Sequence, residues 1–358
     1  MITPFTIDVP AQQLDDLAAR LARTRWPDEL PDAGWDYGIP RRRIEALVDY
    51  WRTDYDWRAQ ETALNAFPQY VTEIDGQRIH FLHLRSGRRD ALPLLLSHGW
   101  PGTFAEFVPV IELLADDFHL VIPSMPGYPF SGPARKRGWD VARIGGAWVA
   151  LMRRLGYSRY GVHGGDWGSA ISRKVGALAP ADVVGVHLSY LPTPPPDPAP
   201  PLSDADAARL DQVRRYLRRR PGYQVVHETS PQTLGYGLTD SPVGLLAWIA
   251  ERFADWTDPS SPISDDHLLT TVMLYWLTGT AASAIRLYRE NRKGPLPCPS
   301  PMGVAVFRHD ITRPVRALAE RSYRIVHWSE YDRGGHFPAL EVPELLAGDL
   351  RTFFGGLR

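Results

Sequence analysis

The stretch Gly164-Gly165-Asp166-Trp167-Gly168-Ser169 decides the fold, and the rest of the chain is organised around it. The mostly apolar run 160–163 before it predicts a strand, and the pattern 170–175 after it predicts a helix, so the stretch itself is a sharp turn. Glycines two residues before and after Asp166 suit such a turn, because the backbone there leaves no room for a Cβ atom. The turn would present Asp166 as a nucleophile, and a carboxylate can attack an alkyl carbon to give an ester that water later cleaves. The alternative is a glycine-rich turn that carries a solvated aspartate.

Strands and helices alternate on both sides of this turn. Apolar runs predict buried strands at residues 92–96, 119–122, 183–188, 303–307 and 323–328. Helical periodicity predicts helices at residues 103–114, 141–155 and 343–354. A hairpin at residues 70–83, with its turn at Asp75-Gly76, precedes them. The alternation is typical of an α/β protein with a mostly parallel, doubly wound sheet, in which ligands bind at the carboxyl ends of the strands.

Two segments interrupt this alternation. Residues 1–68 are predicted to be helical and rich in tryptophan, and we interpret them as an arm packed on the core. The proline-rich stretch 192–201 is predicted to be a stiff linker, followed by helices at residues 205–219, 242–255, 265–278 and 281–291. We therefore predict that residues 192–295 form a helical cap over the strand ends. Residues 69–191 and 296–358 would form the α/β core.

Composition and charge argue against several classes of function. The chain has 358 residues and a net charge of −1, so no overall field favours nucleic acid or an anionic membrane. It contains no apolar run of 18 residues, and its N-terminus has no basic-then-apolar signal pattern. Cys298 is the only cysteine, which excludes an intrachain disulfide and fits a reducing compartment. We expect a cytoplasmic protein that spans no membrane and needs neither a cofactor nor a metal.

Two further residues follow the turn in the order that an elbow nucleophile requires. Asp310 comes just after the strand that ends at Phe307, and His336 comes after strand 323–328 in the loop Gly334-Gly335-His336. The chain order nucleophile, acid, histidine is that of the α/β-hydrolase fold. A neutral imidazole, with a reference pKa of ~6.5, can take a proton from water. Asp310 would then hold the imidazole tautomer, its alternative being a solvated loop carboxylate.

Other side chains compete for these two roles. His309 and His163 are alternative histidines, and His163 falls within the predicted elbow strand, where a packing role is expected. Glu330 and Asp332 are alternative acids, but both share the loop of His336, from which the far side of its imidazole is harder to reach. These alternatives stay open on the sequence alone.

The stretch His98-Gly99-Trp100-Pro101 lies on the loop where this fold places an oxyanion-hole donor. We predict that the backbone N–H groups of Trp100 and Trp167 converge on an oxygen of Asp166, which carries negative charge when the ester is attacked. The alternative is an ordinary turn with a buried tryptophan. Trp100-Pro101 is also a candidate for a cis peptide bond.

The chain resembles epoxide hydrolases of the microsomal type over essentially its whole length, that family's N-terminal region included. Motifs in all parts of the chain carry the resemblance: Arg25-Trp26-Pro27, Tyr55-Asp56-Trp57-Arg58, His98-Gly99-Trp100-Pro101-Gly102, Gly164-Gly165-Asp166-Trp167-Gly168, Asp240-Ser241-Pro242, Leu287-Tyr288-Arg289-Glu290-Asn291 and Gly334-Gly335-His336-Phe337. An Asp-Trp elbow alone also resembles dehalogenases, whereas the combination of motifs is specific.

The resemblance implies a two-step conversion of an epoxide to a vicinal diol. Asp166 attacks an epoxide carbon, while Tyr223 and Tyr288 of the cap hydrogen-bond the epoxide oxygen and supply its proton. His336, oriented by Asp310, then activates the water that cleaves the ester. A phenol, with a reference pKa of ~10, is a suitable acid for a poor leaving group such as an alkoxide. The alternative for each tyrosine is ordinary packing.

Three features depart from the family pattern. His227 stands where the family often has glutamine, and Asp310 stands where many relatives carry glutamate. The segment between Tyr288 and Asp310 is shorter than in many relatives, which predicts a more open pocket rim.

Two other functions are compatible with part of the pattern. A haloalkane-type dehalogenase would use the same three residues, with Trp167 as a halide donor, but Tyr223 and Tyr288 argue against it. A non-catalytic binding protein of the hydrolase fold would be free to lose a catalytic residue, and none is lost. We expect a small, hydrophobic or aromatic epoxide as the substrate. Its identity, the choice between detoxification and secondary metabolism, and the oligomeric state, a homodimer included, are left open.

Overall fold

The computed structural model describes residues 1–196, 200–219, 221–291, 294 and 296–357. The middle of the predicted proline-rich linker, residues 197–199, and the predicted last residue of the cap, Pro295, lie outside the described residues.

One sheet of nine strands runs through the described part of the chain. The strands are Thr3–Phe5 (β1), Gln69–Ile74 (β2), Gln77–Leu84 (β3), Leu92–Ser97 (β4), Phe118–Pro123 (β5), Tyr160–Gly164 (β6), Val183–Leu188 (β7), Met302–Phe307 (β8) and Ile325–Tyr331 (β9). Their order in space is β1-β2-β3-β5-β4-β6-β7-β8-β9. The pairs that join β1, β2, β3 and β5 are antiparallel, and the pairs from β5 to β9 are parallel. The predicted mostly parallel α/β sheet is confirmed.

Two strands differ from the expectation. β1 was not predicted, because it has three residues, one of them a proline, and a sheet edge tolerates proline where an inner strand does not. β9 ends at Tyr331 rather than at residue 328. It is the other edge of the sheet, and its residues are only partly buried, so its strand pairing continues beyond the apolar run that marked it in the sequence.

The helices lie before, between and after these strands. They are Ala11–Ala22 (α1), Arg41–Thr53 (α2), Trp57–Asn65 (α3), Val108–Leu114 (α4), Val141–Arg154 (α5), Asp166–Leu178 (α6), Asp204–Arg219 (α7), Gly222–Thr229 (α8), Pro231–Asp240 (α9), Pro242–Trp256 (α10), Asp265–Thr278 (α11), Ala281–Ala284 (α12), Arg286–Glu290 (α13), Arg316–Ala319 (α14), Pro338–Glu341 (α15) and Pro343–Gly355 (α16). α8 and α9 were not predicted, since glycine and proline at five positions between 221 and 237 lower their helical propensity. They matter for function, because α8 carries Tyr223.

The N-terminal arm contacts the cap helices as well as the core. Its strand β1 joins the edge of the core sheet. Its helices α1 and α2 lie against α10, and α3 lies against α11. Arg20 of α1 donates to the carbonyl of Asp240, the last residue of α9, at 2.9 Å, and the hydroxyl groups of Tyr55 and of Thr270 on α11 are 3.0 Å apart. Residues 1–68 therefore contact both the sheet and the helices of the predicted cap.

The described residues contain no single helix that is long and apolar enough to cross a membrane. α11 together with the segment Ala281–Glu290 passes the same test of length and composition only as a pair, bent by 96°.

The strand register brings four loops together at the carboxyl ends of the parallel strands. Ser97 at the end of β4 pairs with Gly164 at the end of β6, so the loop that follows Ser97 lies beside Asp166. Phe307 at the end of β8 pairs with Tyr331 at the end of β9, which brings the loops of Asp310 and His336 side by side. The parallel sheet thereby collects residues from distant parts of the sequence.

Candidate active site

Asp166 lies at the junction of β6 and α6 in a left-handed backbone conformation with φ +43°. This conformation is strained for a residue with a side chain, and such strain is typical of a nucleophile held on a sharp turn. A Cβ atom on Gly168 would overlap the Ser97 carbonyl of the neighbouring strand, so glycine is required for α6 to start this close to the sheet. The side chain of Asp166 keeps 18% of its surface exposed, which leaves it open to attack a ligand.

The loop after β4 holds one oxygen of Asp166. The backbone N–H of Trp100 donates to Asp166 Oδ1 at 2.9 Å, and the Trp100-Pro101 bond is cis. A Cβ atom on Gly99 would overlap the Asp166 carboxylate, so this close approach also needs glycine. The second predicted donor behaves differently from Trp100. Within the described part of the chain, the Trp167 N–H forms no hydrogen bond with the Asp166 carboxylate. The Trp167 N–H lies in the first turn of α6, where backbone donors have no acceptor within the helix.

His336 bridges the two carboxylates. Its Nε2 lies 3.2 Å from Asp166 Oδ2, and its Nδ1 lies 2.7 Å from Asp310 Oδ1. The same Oδ1 of Asp310 accepts a hydrogen bond of 2.7 Å from the Ile311 N–H. Asp310 and His336 are both buried, and the His336 N–H donates to the Trp256 carbonyl of the cap at 2.9 Å. The imidazole is therefore fixed from both the core and the cap.

The two carboxylates change the acidity of the histidine. Burial by itself lowers the pKa of His336, but the charge of Asp310 and the hydrogen bonds that the imidazole donates to Asp166 and Asp310 outweigh it and raise that pKa above the ordinary value. The protonated imidazole is thus favoured for as long as both carboxylates are negative.

The two cap tyrosines lie over the tryptophans next to the nucleophile. The ring of Tyr288, on α13, meets the Trp167 ring edge-on with centroids 4.8 Å apart. The ring of Tyr223, on α8, stacks on Trp100 at 5.5 Å, and the two tyrosine rings are 6.1 Å apart. Burial raises the pKa of both phenols well above the usual value, so both keep their protons at neutral pH.

His227 is part of the same aromatic cluster. Its ring lies 4.6 Å from Trp100 and 4.8 Å from Tyr288, and it accepts a hydrogen bond of 3.0 Å at Nε2 from the Trp248 indole N–H. Burial, followed by the charge of Arg252, lowers the pKa of His227 to about 3, so the ring is neutral. A neutral ring that accepts at Nε2 carries its proton on Nδ1, for which the described residues provide no partner.

The competing residues lie in other surroundings. His309 is 39% exposed in its side chain and lies 3.5 Å from Asp258. Glu330 forms an ion pair of 2.6 Å with Arg209, and Asp332 is exposed. His163 is buried and hydrogen-bonds through Nδ1 to His187 Nδ1 at 2.9 Å.

One carboxylate at this site, that of Glu106, was not predicted from the sequence. Glu106 and Asp166 line the same small cavity, which the pattern of the sequence did not suggest. The available signal was a single carboxylate within the otherwise apolar run Phe104-Ala105-Glu106-Phe107-Val108.

The chain is similar to known epoxide hydrolases over its length. Residues 2–107 match the family model described as the epoxide hydrolase N terminus, and residues 93–231 match the alpha/beta hydrolase fold. Epoxide hydrolase 1 of Sus scrofa is 34% identical, over 99% of this chain and 88% of its own length. The structure of Aspergillus niger epoxide hydrolase superposes with a TM-score of 0.94 at 34% identity, over 100% of this chain and 97% of the other. The juvenile hormone epoxide hydrolase of Bombyx mori gives a TM-score of 0.94 at 31% identity, over 100% of this chain and 95% of the other.

Proposed function

The chain belongs to the epoxide hydrolase family, and we propose that it adds water to an epoxide through a covalent ester on Asp166. The observation that carries this mechanism is the binding of the Asp166 carboxylate from two sides. Trp100 donates to Oδ1, and the imidazole of His336 lies 3.2 Å from Oδ2. A carboxylate fixed in this way has one oxygen in a hole for negative charge and the other available for attack.

In the first step, Oδ2 of Asp166 attacks an epoxide carbon and the carbon–oxygen bond of the ring breaks. The epoxide oxygen leaves as an alkoxide, which takes a proton from Tyr223 or Tyr288. Burial supports this role, because phenols that stay protonated at neutral pH can give a proton at the moment when the alkoxide forms. The product of the step is a hydroxyalkyl ester of Asp166.

In the second step, water attacks Cγ of Asp166 and His336 Nε2 takes its proton. Negative charge develops on Oδ1, where the Trp100 N–H donates. The Cγ–Oδ2 bond then breaks, and the diol leaves with Oδ2 and the proton that His336 took from the water. Ester formation has by then neutralised Asp166, so one of the two carboxylates that raise the pKa of His336 is lost. The imidazole can then release its proton, which restores the phenol that protonated the alkoxide, and act as the base.

Trapping the intermediate tests this proposal. The variant His336→Gln keeps a polar side chain but no base, so the ester should form and persist. Mass spectrometry of the intact protein after mixing with styrene oxide should show one added substrate mass, and peptide mapping should assign it to Asp166. A variant that stays unmodified while the unaltered enzyme turns over styrene oxide would rule out the covalent mechanism.

The lining of the site supports a hydrophobic or aromatic epoxide as the substrate. Trp100, Trp167, Tyr223, Tyr288 and His227 form a cluster of rings in mutual contact, and two of its members, Trp100 and Trp167, adjoin Asp166. We also propose a cytoplasmic location, which is supported by the single cysteine, buried and unpaired.

A further inference from the structure

A small cavity lies beside the nucleophile. Its polar lining comes from the side chains of Glu106, His163, Asp166, Ser189 and His336. Its volume is about 10 Å³, which is roughly the space that one water molecule needs. A water in so small a space is within reach of all the polar groups that line it.

Glu106 reaches this cavity from the same loop that holds Asp166. It lies in a 3-10 turn, Phe104–Phe107, whose other three residues are buried, whereas Glu106 keeps part of its surface accessible. A Cβ atom on Gly102 would overlap Glu106 Oε2, as a Cβ atom on Gly99 would overlap the Asp166 carboxylate. Because Gly99 and Gly102 have no Cβ atom, the carboxyl groups of Asp166 and Glu106 have room on either side of Trp100-Pro101.

The protonation state of Glu106 suits it for binding water. Burial, and after it the negative charge of Asp166, raises the pKa of Glu106 well above its ordinary value. The protonated acid offers one O–H donor and keeps acceptor capacity on its carbonyl oxygen. It can therefore hold a water by donating to it or accepting from it without competing with His336 for a proton.

We propose that Glu106 positions the water that hydrolyses the ester, holding it in this cavity between His336 and Cγ of Asp166. The inference rests on the two-step mechanism proposed above. The water oxygen bonds to Cγ, one water proton passes to His336 Nε2, and the Cγ–Oδ2 bond breaks. The departing diol oxygen takes this first proton back from His336. The second water proton then passes from the new carboxyl group of Asp166 to His336, which restores the protonated imidazole, and the water oxygen remains in the Asp166 carboxylate.

His163 closes the cavity on another side and is fixed by a buried chain of hydrogen bonds. Its Nδ1 bonds to His187, whose Nε2 lies 2.9 Å from Asp349 Oδ2. Because both ends of this chain are buried, His163 forms a rigid wall. Outside the proposed triad and His163, Glu106 and Ser189 are the polar residues that line the cavity. We assign the water to Glu106, because its carboxyl group comes from the loop that also holds Asp166.

A purely structural role for Glu106 makes a different prediction. A buried carboxylic acid is costly compared with an apolar side chain of similar size. If Glu106 only filled space, Glu106→Leu would leave both chemical steps unchanged and would maintain or raise the melting temperature. If Glu106 positions the water, Glu106→Leu should slow ester hydrolysis and leave ester formation nearly unchanged.

Stopped-flow tryptophan fluorescence with styrene oxide can separate the two steps, since Trp100 and Trp167 flank the nucleophile. We expect Glu106→Leu to slow ester hydrolysis about 10- to 100-fold, as for the loss of one hydrogen bond to a reacting group. Ester formation should change less than about threefold, so the ester should accumulate. Glu106→Gln, which can still bind water, should recover part of the hydrolysis rate. The exposed Glu112, changed to Leu, is the matched control.

The outcomes distinguish the two proposals. If Glu106→Leu hydrolyses the ester at the normal rate, or if both steps slow equally, Glu106 does not position the water. If no ester forms on Asp166 even in His336→Gln, the two-step mechanism itself fails. If Glu106→Leu does not fold, Glu106→Gln is compared with the unaltered enzyme instead. If both ester formation and ester hydrolysis are unchanged in Glu106→Gln, Glu106 does not position the water.

Discussion

Replacing Asp310 by asparagine tests how much of the histidine's basicity comes from charge. Oδ1 of Asp310 accepts from both the Ile311 N–H and His336 Nδ1. The oxygen of an asparagine at this position can accept both hydrogen bonds, so Asp310→Asn should keep the tautomer and the orientation of His336. The variant then removes the negative charge and little else.

The magnitude follows from the distance. His336 Nδ1 and Asp310 Oδ1 are 2.7 Å apart. Placing the centres of the two charges roughly 4 Å apart, at an effective dielectric constant of about 20, gives an attraction of about 4 kcal/mol. This attraction exists only when the imidazole is protonated, as it becomes during attack by water. Its loss should slow ester hydrolysis about 10³-fold, since about 1.4 kcal/mol corresponds to a factor of ten in rate.

The pH dependence gives a second measurement with a definite sign. Asp310 raises the pKa of His336, so removing its charge must lower that pKa. The pH at which hydrolysis reaches half of its maximum should therefore move to lower values in Asp310→Asn, while the maximum falls. Stopped-flow rates of ester formation and hydrolysis between pH 5 and about 10 would record both effects.

Asp332→Asn is the control, because Asp332 is an exposed carboxylate in the loop of His336. It should leave both rates and the pH profile unchanged. The reasoning would be refuted if Asp310→Asn hydrolysed the ester within about tenfold of the normal rate, or if its pH profile stayed in place. An equal loss in Asp332→Asn would show that the charge of the loop, and not the contact with His336, controls the rate.

Four further substitutions test other parts of the structure. Tyr223→Phe and Tyr288→Phe should each slow ester formation about 10²-fold or more, the usual contribution of a general acid, without slowing hydrolysis of ester already formed. His227→Gln places a longer amide beside Tyr288; it should alter the enantiomer preference for styrene oxide, measured by chiral chromatography, while an unchanged preference would show that His227 does not shape the pocket. Asp349→Asn should destabilise the fold by about 3 kcal/mol at pH 7 in urea unfolding, as for one partner removed from a buried pair. Burial alone raises the pKa of Asp349, but hydrogen bonds from His187, Ser329 and His327 lower that pKa below its usual range. The stabilisation by the ionised carboxylate is therefore present above about pH 4 and is lost as the pH falls. A destabilisation that persisted unchanged at pH 2.5 would contradict the assignment of charge to Asp349.

The sequence by itself was sufficient for features that depend on neighbouring residues. The elbow around Asp166 was readable because its glycines and the flanking strand and helix are contiguous. The strands β4, β6, β7 and β8 were readable because inner parallel strands are continuous apolar runs. Strand β1, at one edge of the sheet, and the end of β9, at the other edge, were not predicted. Their residues are neither all buried nor regularly alternating between buried and exposed.

Only the tertiary structure decided which distant groups meet. The sequence favoured Asp310 over Glu330 as the partner of His336 only by their positions relative to the strands and left both open. The pairing of β8 with β9 and the direction of the imidazole bring Asp310 into contact with His336. Likewise, Glu106 is one carboxylate in an apolar run until the loop after β4 folds against β6 and brings it to the cavity of Asp166. The sequence was sufficient to predict Asp166 as the proposed nucleophile because its turn is local, whereas the surroundings of Asp166 depend on the packing of loops from four strand ends.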